Sequence, residues 1–225
     1  MSKWTHVVEM KFEIELIDGT RIGGAGGTLE IGGIDSNLSA LKDPISGHPY
    51  IPGSSLKGKL RSTLEKELGL GQRGEPCRCG RTDCFVCRIF GAHMNPRAES
   101  GTSRLMVRDA RFSEEYRQIW VTRLSEGQPT FEVKTENTID RQRGTALNPR
   151  TQERVPAGAR FSAELILKVF EGDDDTGMVA KLKNALAIVE RFDSLGAGGS
   201  RGSGRVAIHN FKQEKVALAN LTLTA

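Results

Sequence analysis

Residues 50–61 of the chain read Tyr50-Ile51-Pro52-Gly53-Ser54-Ser55-Leu56-Lys57-Gly58-Lys59-Leu60-Arg61. The Pro-Gly pair interrupts whatever element precedes it, and Ser54 or Ser55 can cap a helix. Apolar residues then recur at the spacing of one helical face, at Leu56, Leu60 and Leu64. We therefore predict a helix over residues 54–68.

The first turns of this helix carry three cations, Lys57, Lys59 and Arg61. They stand beside the backbone amides that a helix start leaves unpaired, together with the hydroxyls of Ser54 and Ser55. Amides and hydroxyls backed by positive charge favour the binding of a phosphate. The alternative is that the cations only solvate an exposed helix face.

The same stretch is close to a nucleotide-binding P-loop, because Gly53, Gly58 and Lys59 nearly fit its spacing. That motif requires Ser or Thr after its lysine to hold magnesium, and a strand before it. This chain has Leu60 after the lysine and turn-forming residues at 46–50. The sequence therefore disfavours an NTPase.

The composition is that of an ordinary globular protein with room for a sizeable core. Of 225 residues, 37% are hydrophobic and 27% are charged, and the formal net charge is +4. A mildly basic chain permits an acidic partner without requiring one. Because there is no apolar run of 18 residues and residues 1–11 pass directly into a strand pattern, we expect a cytoplasmic protein without a membrane partner.

All four cysteines lie within eleven residues, at Cys77, Cys79, Cys84 and Cys87. Four thiolates from one short loop are what a closed structural Zn²⁺ site requires, whereas disulfides that brace a domain are spread along the chain. The alternatives are four unliganded thiols, or a zinc site in which His93 replaces one cysteine. We predict a zinc site in an inserted loop over residues 70–100.

Alternating apolar residues predict strands in several parts of the chain. The clearest are Val8, Met10, Phe12, Ile14 and Leu16, and Phe161, Ala163, Leu165, Leu167 and Val169. Further strands are expected at 105–112 and 206–211, with an additional edge strand in 214–225. A second helix opens at 173–176, where acids suit the helix dipole, and runs into the glycine loop that begins at Gly196. Its expected core-facing residues are Met178, Leu182, Leu186, Val189 and Phe192.

The order strand, helix, strand, strand, helix, strand is that of an α+β, ferredoxin-like (RRM-like) βαββαβ core. We expect one domain over residues 1–225, with the cysteine loop and residues 131–160 as insertions. The second insertion has few apolar residues, a turn signal at Asn148-Pro149 and several arginines, Arg141, Arg143, Arg150, Arg154 and Arg160. It predicts a projecting basic arm or hairpin, with a disordered loop as the alternative.

Glycine-rich loops occupy residues 21–37 and 196–205. The second follows a helix and precedes a strand, the reverse of the Rossmann fingerprint, so that motif does not apply. Its backbone amides, at Gly198 and Gly199, with Arg201 and Arg205 nearby, can still present donors to a phosphate.

Three separated stretches together resemble the RAMP superfamily of CRISPR proteins: Ile22-Gly23-Gly24 through Ile31-Gly32-Gly33-Ile34-Asp35, residues 51–61, and the glycine loop 196–205. Within it, the chain is most similar to the repeated backbone subunit of the type III-A (Csm) effector complex. The narrower similarity rests on Cys87-Arg88-Ile89-Phe90-Gly91, Glu136-Asn137-Thr138-Ile139-Asp140-Arg141, Asn148-Pro149-Arg150 and Glu153-Arg154-Val155-Pro156-Ala157-Gly158.

The resemblance implies that Lys57 and Arg61 hold the backbone of a guide CRISPR RNA. It makes residues 131–160 a thumb that intercalates in the duplex of guide and target RNA. It also makes Asp35 the residue needed for Mg²⁺-dependent cleavage of single-stranded target RNA. Where several relatives have a histidine in the first loop, this chain has Arg21, which leaves RNA contact intact but removes any imidazole role.

The implied partners are the guide and target RNAs, other subunits of a type III effector complex, and further copies of this chain arranged head to tail. Two other functions stay open. The chain can be a purely structural RNA-binding subunit in which Asp35 is inert, a turn aspartate before Ser36-Asn37. It can also be an endoribonuclease that processes the guide precursor.

Overall fold

The computed structural model describes residues 2–23, 40–71 and 74–220. Its strands and helices, in chain order, are β1 Trp4–Leu16, α1 Gly53–Glu67, α2 Phe85–Phe90, β2 Leu105–Val107, β3 Arg111–Phe112, α3 Glu114–Ser125, β4 Glu132–Ile139, β5 Ala146–Arg154, β6 Arg160–Phe170, α4 Asp175–Phe192 and β7 Val206–Ala217. The architecture is therefore mixed α+β, as the sequence predicted.

The main sheet has the order β2-β6-β1-β7, all antiparallel, with β3 also paired to β6. Both alternating patterns are confirmed, because the apolar residues quoted above in β1 and β6 are all at most 3% exposed. One face of the sheet is therefore apolar and covered.

Helices α1 and α4 supply that cover, since their apolar faces join the β1 and β6 residues in one hydrophobic cluster. On α1, Leu56, Leu60 and Leu64 are at most 1% exposed. Helix α4 begins at Asp175, within the predicted opening, and its cap Asp174 accepts a 2.8 Å hydrogen bond from the Gly177 amide. The prediction that Phe192 faces the core is wrong, because this side chain is 84% exposed at the end of the helix. No helix in the described ranges is both long and apolar enough for a membrane span.

The prediction that Ser54 or Ser55 caps α1 is wrong, because the helix begins at Gly53, after Pro52, without a side-chain cap of its own. Instead Oδ1 of Asp109, far along the chain, accepts a 2.7 Å hydrogen bond from the Gly53 amide. Residue 53 has to be glycine, since a Cβ there would lie 2.3 Å from the Val107 carbonyl oxygen. The start of α1 is thus held tightly against the end of β2.

The single strand predicted at 105–112 is also wrong, because it is broken into β2 and β3. Arg108 still donates its amide to Glu164, but Ala110 pairs instead with Ile51, just before α1. The break therefore joins the sheet to the residues that introduce α1, and it places Asp109 at the helix start.

Two helices were not predicted, α2 and α3. The signals for α3 are present in the sequence: Ser113 accepts a hydrogen bond from the Tyr116 amide as its cap, and two acids fill the first turn. Its buried residue, Trp120, lies 5.0 Å from both Phe112 and Phe131, measured between ring centroids. Helix α3 thereby covers the base of the β4–β5 hairpin.

At the C-terminal end, the predicted separate edge strand is not found in the described part of the chain. Residues 214–217 continue β7 beyond a register shift, which accompanies a positive φ of 54° at Asn210. Residues 218–220 form a short 3₁₀ turn.

Candidate functional site

Lys57 lies in the second turn of α1 and points toward the edge of the sheet. Its Nζ donates to Oγ of Ser103 over 3.0 Å and to the carbonyl oxygen of Leu105 over 2.7 Å. Both acceptors are uncharged. Burial lowers the pKa of this lysine, and the positive charges of Arg61 and Lys168 lower it further. Its positive charge is thus fixed in place without being neutralised by those partners.

The two other cations predicted on α1 are paired inside the molecule. Lys59 forms a 3.0 Å ion pair with Asp193, at the end of α4. Arg61 pairs with Glu65 over 2.8 Å and also donates to the carbonyl oxygen of Cys77. These two side chains therefore hold α1 against its neighbours, whereas Ser54 and Ser55 stay exposed on the first turn.

The structure brings the late glycine loop beside Arg21. The Ala197 amide donates to the Arg21 carbonyl oxygen, and Leu195 to that of Gly204, at 2.9 and 2.8 Å. Residues 199–201 form one 3₁₀ turn between two glycines, Gly198 and Gly202, which have left-handed backbones with φ of 81° and 71°. The described residues of the two glycine-rich loops therefore lie side by side, a pairing that the sequence did not predict.

Both arginines of this loop form ion pairs with carboxylates. Arg201 lies 3.1 Å from Glu136, on β4, and Arg205 lies 3.2 Å from Asp18. Lys134 also donates to the carbonyl oxygen of Arg201. Both arginines are nevertheless exposed at 63% and 64%, so a phosphate in solvent can reach them.

Residues 132–154 form the predicted hairpin, in which β4 and β5 pair with one register shift. Asp140 shapes its turn by accepting hydrogen bonds from the amides of Gln142 and Arg143. The end of the hairpin exposes apolar side chains, Ile139 at 64% and Leu147 at 44%, close in sequence to the exposed Arg141. The tip is thus both apolar and basic.

Glu153 fastens the base of the hairpin to residues 40–42. Its two carboxylate oxygens accept hydrogen bonds from the Ala40 amide at 3.2 Å and from Lys42 Nζ at 3.0 Å. Ala40 in turn pairs with Gly23. The predicted catalytic residue, Asp35, lies outside the described residues, as do Gly24 to Gly33 of the first glycine loop.

The four cysteines converge on one point. The Sγ atom of Cys77 lies 3.7 Å from that of Cys79, 4.0 Å from that of Cys84 and 3.7 Å from that of Cys87, and all four lie within 4.8 Å of one another. Tetrahedral Zn²⁺ with Zn–S bonds of about 2.3 Å needs sulfur atoms about 3.8 Å apart. The donor set therefore fits zinc.

Burial shapes the chemistry of these thiols. It raises the pKa of Cys84 to about 11, and it also raises the pKa of Cys87. His93 is not part of the described cluster, and its backbone amide donates to the Cys77 carbonyl oxygen instead. The four cysteines thus supply a complete ligand set without it.

A model of the RAMP superfamily matches residues 13–207 of this sequence. The chain belongs to the RAMP superfamily. Two similar proteins are each named "CRISPR system Cms endoribonuclease Csm3". That of Methanothermobacter thermautotrophicus is 39% identical over 212 residues, which are 89% of this chain and 82% of the relative. That of Enterococcus italicus is 38% identical over 196 residues, 86% of each chain.

A solved structure of the Csm3–Csm4 subcomplex of the type III-A CRISPR-Cas interference complex resembles this RAMP chain with a TM-score of 0.62. The two are 26% identical, over 96% of this chain and 83% of that one. The similarity read from the sequence to the type III-A branch of the superfamily is thereby confirmed.

Sequence reasoning missed several residues that shape the RAMP site. Asp109 lies in a segment without a recognisable motif, and Glu153 begins a stretch that carries the family resemblance but assigns it no role. Their roles depend on contacts 56 and 113 residues away in the sequence. No local signal would have identified either. The position of Lys168 could have been predicted, because the alternating pattern of β6 places it on the polar side of that strand.

Proposed function

We propose that this RAMP chain is the guide-RNA-binding backbone subunit of a type III-A CRISPR effector complex, and that it cleaves target RNA at regular intervals. The observation that carries the proposal is the similarity, at 38–39% identity over more than four fifths of both chains, to proteins named as endoribonucleases. The fold similarity to a chain of the Csm3–Csm4 subcomplex supports the same assembly.

The geometry suits a protein that must hold any guide. Such a subunit contacts phosphates and leaves base recognition to pairing between the RNA strands. Lys57, with its charge held by neutral acceptors, is the first candidate for the guide backbone. Arg21, Gly198, Gly199, Arg201 and Arg205 form a second group at the glycine loop, with Ser54, Ser55, Lys59 and Arg61 as further candidates on α1.

The hairpin is the proposed thumb. An apolar side chain that enters between two bases unstacks them and bends the duplex, which is a common use of apolar wedges by nucleic-acid-binding proteins. The exposure of Ile139 and Leu147 at the tip supports such a wedge, and Arg141 beside them can neutralise a nearby phosphate. If each copy of the chain inserts its hairpin into the duplex, the target strand would be distorted at regular intervals. The cleavage sites would then be spaced at the same intervals.

For cleavage, RNA carries its own nucleophile in the 2′-hydroxyl, so the protein has to align it with the scissile phosphate and stabilise the charge that develops. Asp35 is the proposed residue for this step. A Mg²⁺ ion held by its carboxylate would supply positive charge to the phosphate. In this scheme Asp35 does not have to act as a base.

The chain would form a single domain that assembles with copies of itself and with other subunits. The sheet order β2-β6-β1-β7 with α1 and α4 against one face supports a ferredoxin-like core in a single domain, interrupted by the cysteine loop and the thumb. The four converging thiols support a structural Zn²⁺ site and a reducing, cytoplasmic location. Copies would associate head to tail along the guide, beside other subunits, since an isologous contact would end at a dimer.

The test is target RNA cleavage by the guide-loaded complex, with Mg²⁺ or with a chelator, for the wild type and the Asp35→Ala variant. Asp83→Ala is the matched control, because its carboxylate is exposed and forms a surface ion pair with the nearby Arg81. We expect cuts that disappear with Asp35→Ala or chelator while RNA binding is kept. Unchanged cuts would make this chain a scaffold, and cutting of guide precursor by the isolated chain would make it a processing enzyme.

A further inference from the structure

A cavity of about 360 Å³ opens along the outer edge of β2, between that strand and the start of α1. Two lysines line it, Lys57 from α1 and Lys168 from β6, together with the hydroxyls of Ser54 and Ser103. Among the residues that the structure describes, no acidic side chain is part of the lining. The cavity is thus a positively charged recess of the size that holds a small polar group.

The two lysines act on each other. Repulsion by the positive charge of Lys168 is among the causes that lower the pKa of Lys57, so the two ammonium groups interact electrostatically. Within residues 2–23, 40–71 and 74–220, no ion pair joins Lys168 to an acid, and its Nζ lies 5.4 Å from the centre of the Trp4 ring. An anion placed between the lysines would relieve this repulsion.

The other cations near this cavity form ion pairs with carboxylates. On the same face of the sheet, Lys11 and Arg108 both pair with Glu164, at 3.5 and 2.8 Å. On α1, Lys59 and Arg61 also have carboxylate partners. The contrast distinguishes Lys57 and Lys168 from the other cations around them, because binding an anion between these two lysines breaks no ion pair of the described residues.

We propose that Lys168 is a second phosphate-binding residue, which holds a backbone phosphate of single-stranded RNA in this cavity together with Lys57. The inference rests on the proposed function, since Lys57 is its guide-binding residue, and it extends the RNA path from α1 across the edge of β2. Ser54, exposed at the mouth of the cavity, adds a hydroxyl donor. Contacts of this kind carry no base specificity, as a guide-binding subunit requires.

The experiment measures the affinity of the full chain for a single-stranded RNA of arbitrary sequence over a range of salt concentrations. The variants are Lys168→Gln, Lys168→Arg and Lys57→Gln. Lys212→Gln is the matched control, because Lys212 is exposed on β7 at the opposite edge of the sheet and its loss changes the net charge equally. Thermal unfolding of each variant checks that it is folded.

We expect Lys168→Gln to weaken binding and to reduce the slope of log affinity against log salt by about 0.7, the value for one phosphate contact on a single strand. Lys168→Arg should keep both, and Lys212→Gln should leave the slope unchanged. If Lys168→Gln behaves like the control while Lys57→Gln weakens binding, the role of Lys168 is refuted and the proposed function stands. If neither lysine matters, guide binding at α1 is refuted as well.

Discussion

Arg104 donates from Nε to Oδ2 of Asp173 over 2.8 Å, and the two side chains are 7% and 0% exposed. The same carboxylate pairs with Arg88, which directly follows the last cysteine, and accepts the Phe170 amide at 3.0 Å. One buried carboxylate therefore joins the cysteine segment to the chain between β6 and α4.

Loss of this carboxylate should destabilise the protein strongly. Asp173→Ala leaves two guanidinium groups without their counter-charge, and breaking a buried ion pair in this way costs about 3–5 kcal/mol of the free energy of unfolding. Denaturant unfolding measures the loss. Asp83→Ala, which removes an exposed carboxylate, should change the same quantity by less than about 1 kcal/mol. Equal effects of the two variants would contradict the assigned role.

The contribution of Asp173 should depend on pH. Burial alone would raise the pKa of this carboxyl group, but hydrogen bonds from Arg104 and Phe170 outweigh it and hold the pKa below its ordinary value. Its stabilisation is therefore complete above the unfolded pKa of about 3.9 and disappears as the pH falls through the lower, folded value. We expect the stability difference between wild type and Asp173→Asn to be constant near neutral pH and to shrink below about pH 4. A difference that shrank near pH 7 would indicate another group.

Removal of zinc should loosen the cysteine segment. We expect about one Zn²⁺ per chain in the purified protein, and a lower melting temperature after strong chelation, because the four thiolates lose the ion that holds them together. Cys84→Ser should lower the zinc content, whereas His93→Gln should not, since His93 lies outside the cluster. Full zinc content in Cys84→Ser would show that the sulfur cluster is not the binding site.

Glu136 should compete with RNA for Arg201. The 3.1 Å ion pair between them occupies an arginine that the proposed function assigns to a phosphate. Glu136→Gln should therefore strengthen binding of single-stranded RNA and steepen its salt dependence. Glu114→Gln is the charge-matched control, because Glu114 pairs with Arg117 on the surface of α3. Weaker binding by the Glu136 variant would show instead that this carboxylate positions Arg201.

Glu153 should matter for cleavage more than for binding. It holds residues 40–42, which follow the segment carrying Asp35, against the thumb. Glu153→Ala should lower the cleavage rate with little change in RNA affinity. Glu153→Gln should fall between it and the wild type, because the amide oxygen can still accept from Ala40 while the pairing with Lys42 is lost. A parallel loss of affinity in both variants would indicate general damage to the hairpin.

The sequence predicted the parts of this fold that follow from periodicity. Strands β1 and β6 and the apolar face of α1 repeat at the spacing of their elements, so burial could be assigned without knowing any partner. The hairpin followed from its turn residues and its lack of apolar side chains, and the cysteine cluster from four ligands in a short segment.

What escaped prediction depends on contacts between distant segments. Lys59 looked like a free cation on a helix face, yet its partner, Asp193, is 134 residues away. The break between β2 and β3 places Asp109 at the start of α1, and no pattern in residues 105–112 predicts that contact. The charges of the site could therefore be listed from the sequence, but which of them stay available for RNA could not.

Lys57 also has a consequence for how chains can associate. Its amino group covers the outward carbonyl oxygen of Leu105, on the short terminal strand β2, so an incoming strand would find that acceptor already taken. Strand β7, at the other end of the described sheet, is twelve residues long and pairs on one side only with β1. Among the described strands, β7 therefore offers the longer edge to a partner that joins this sheet by β-augmentation, so the two ends of the sheet are not equivalent for association.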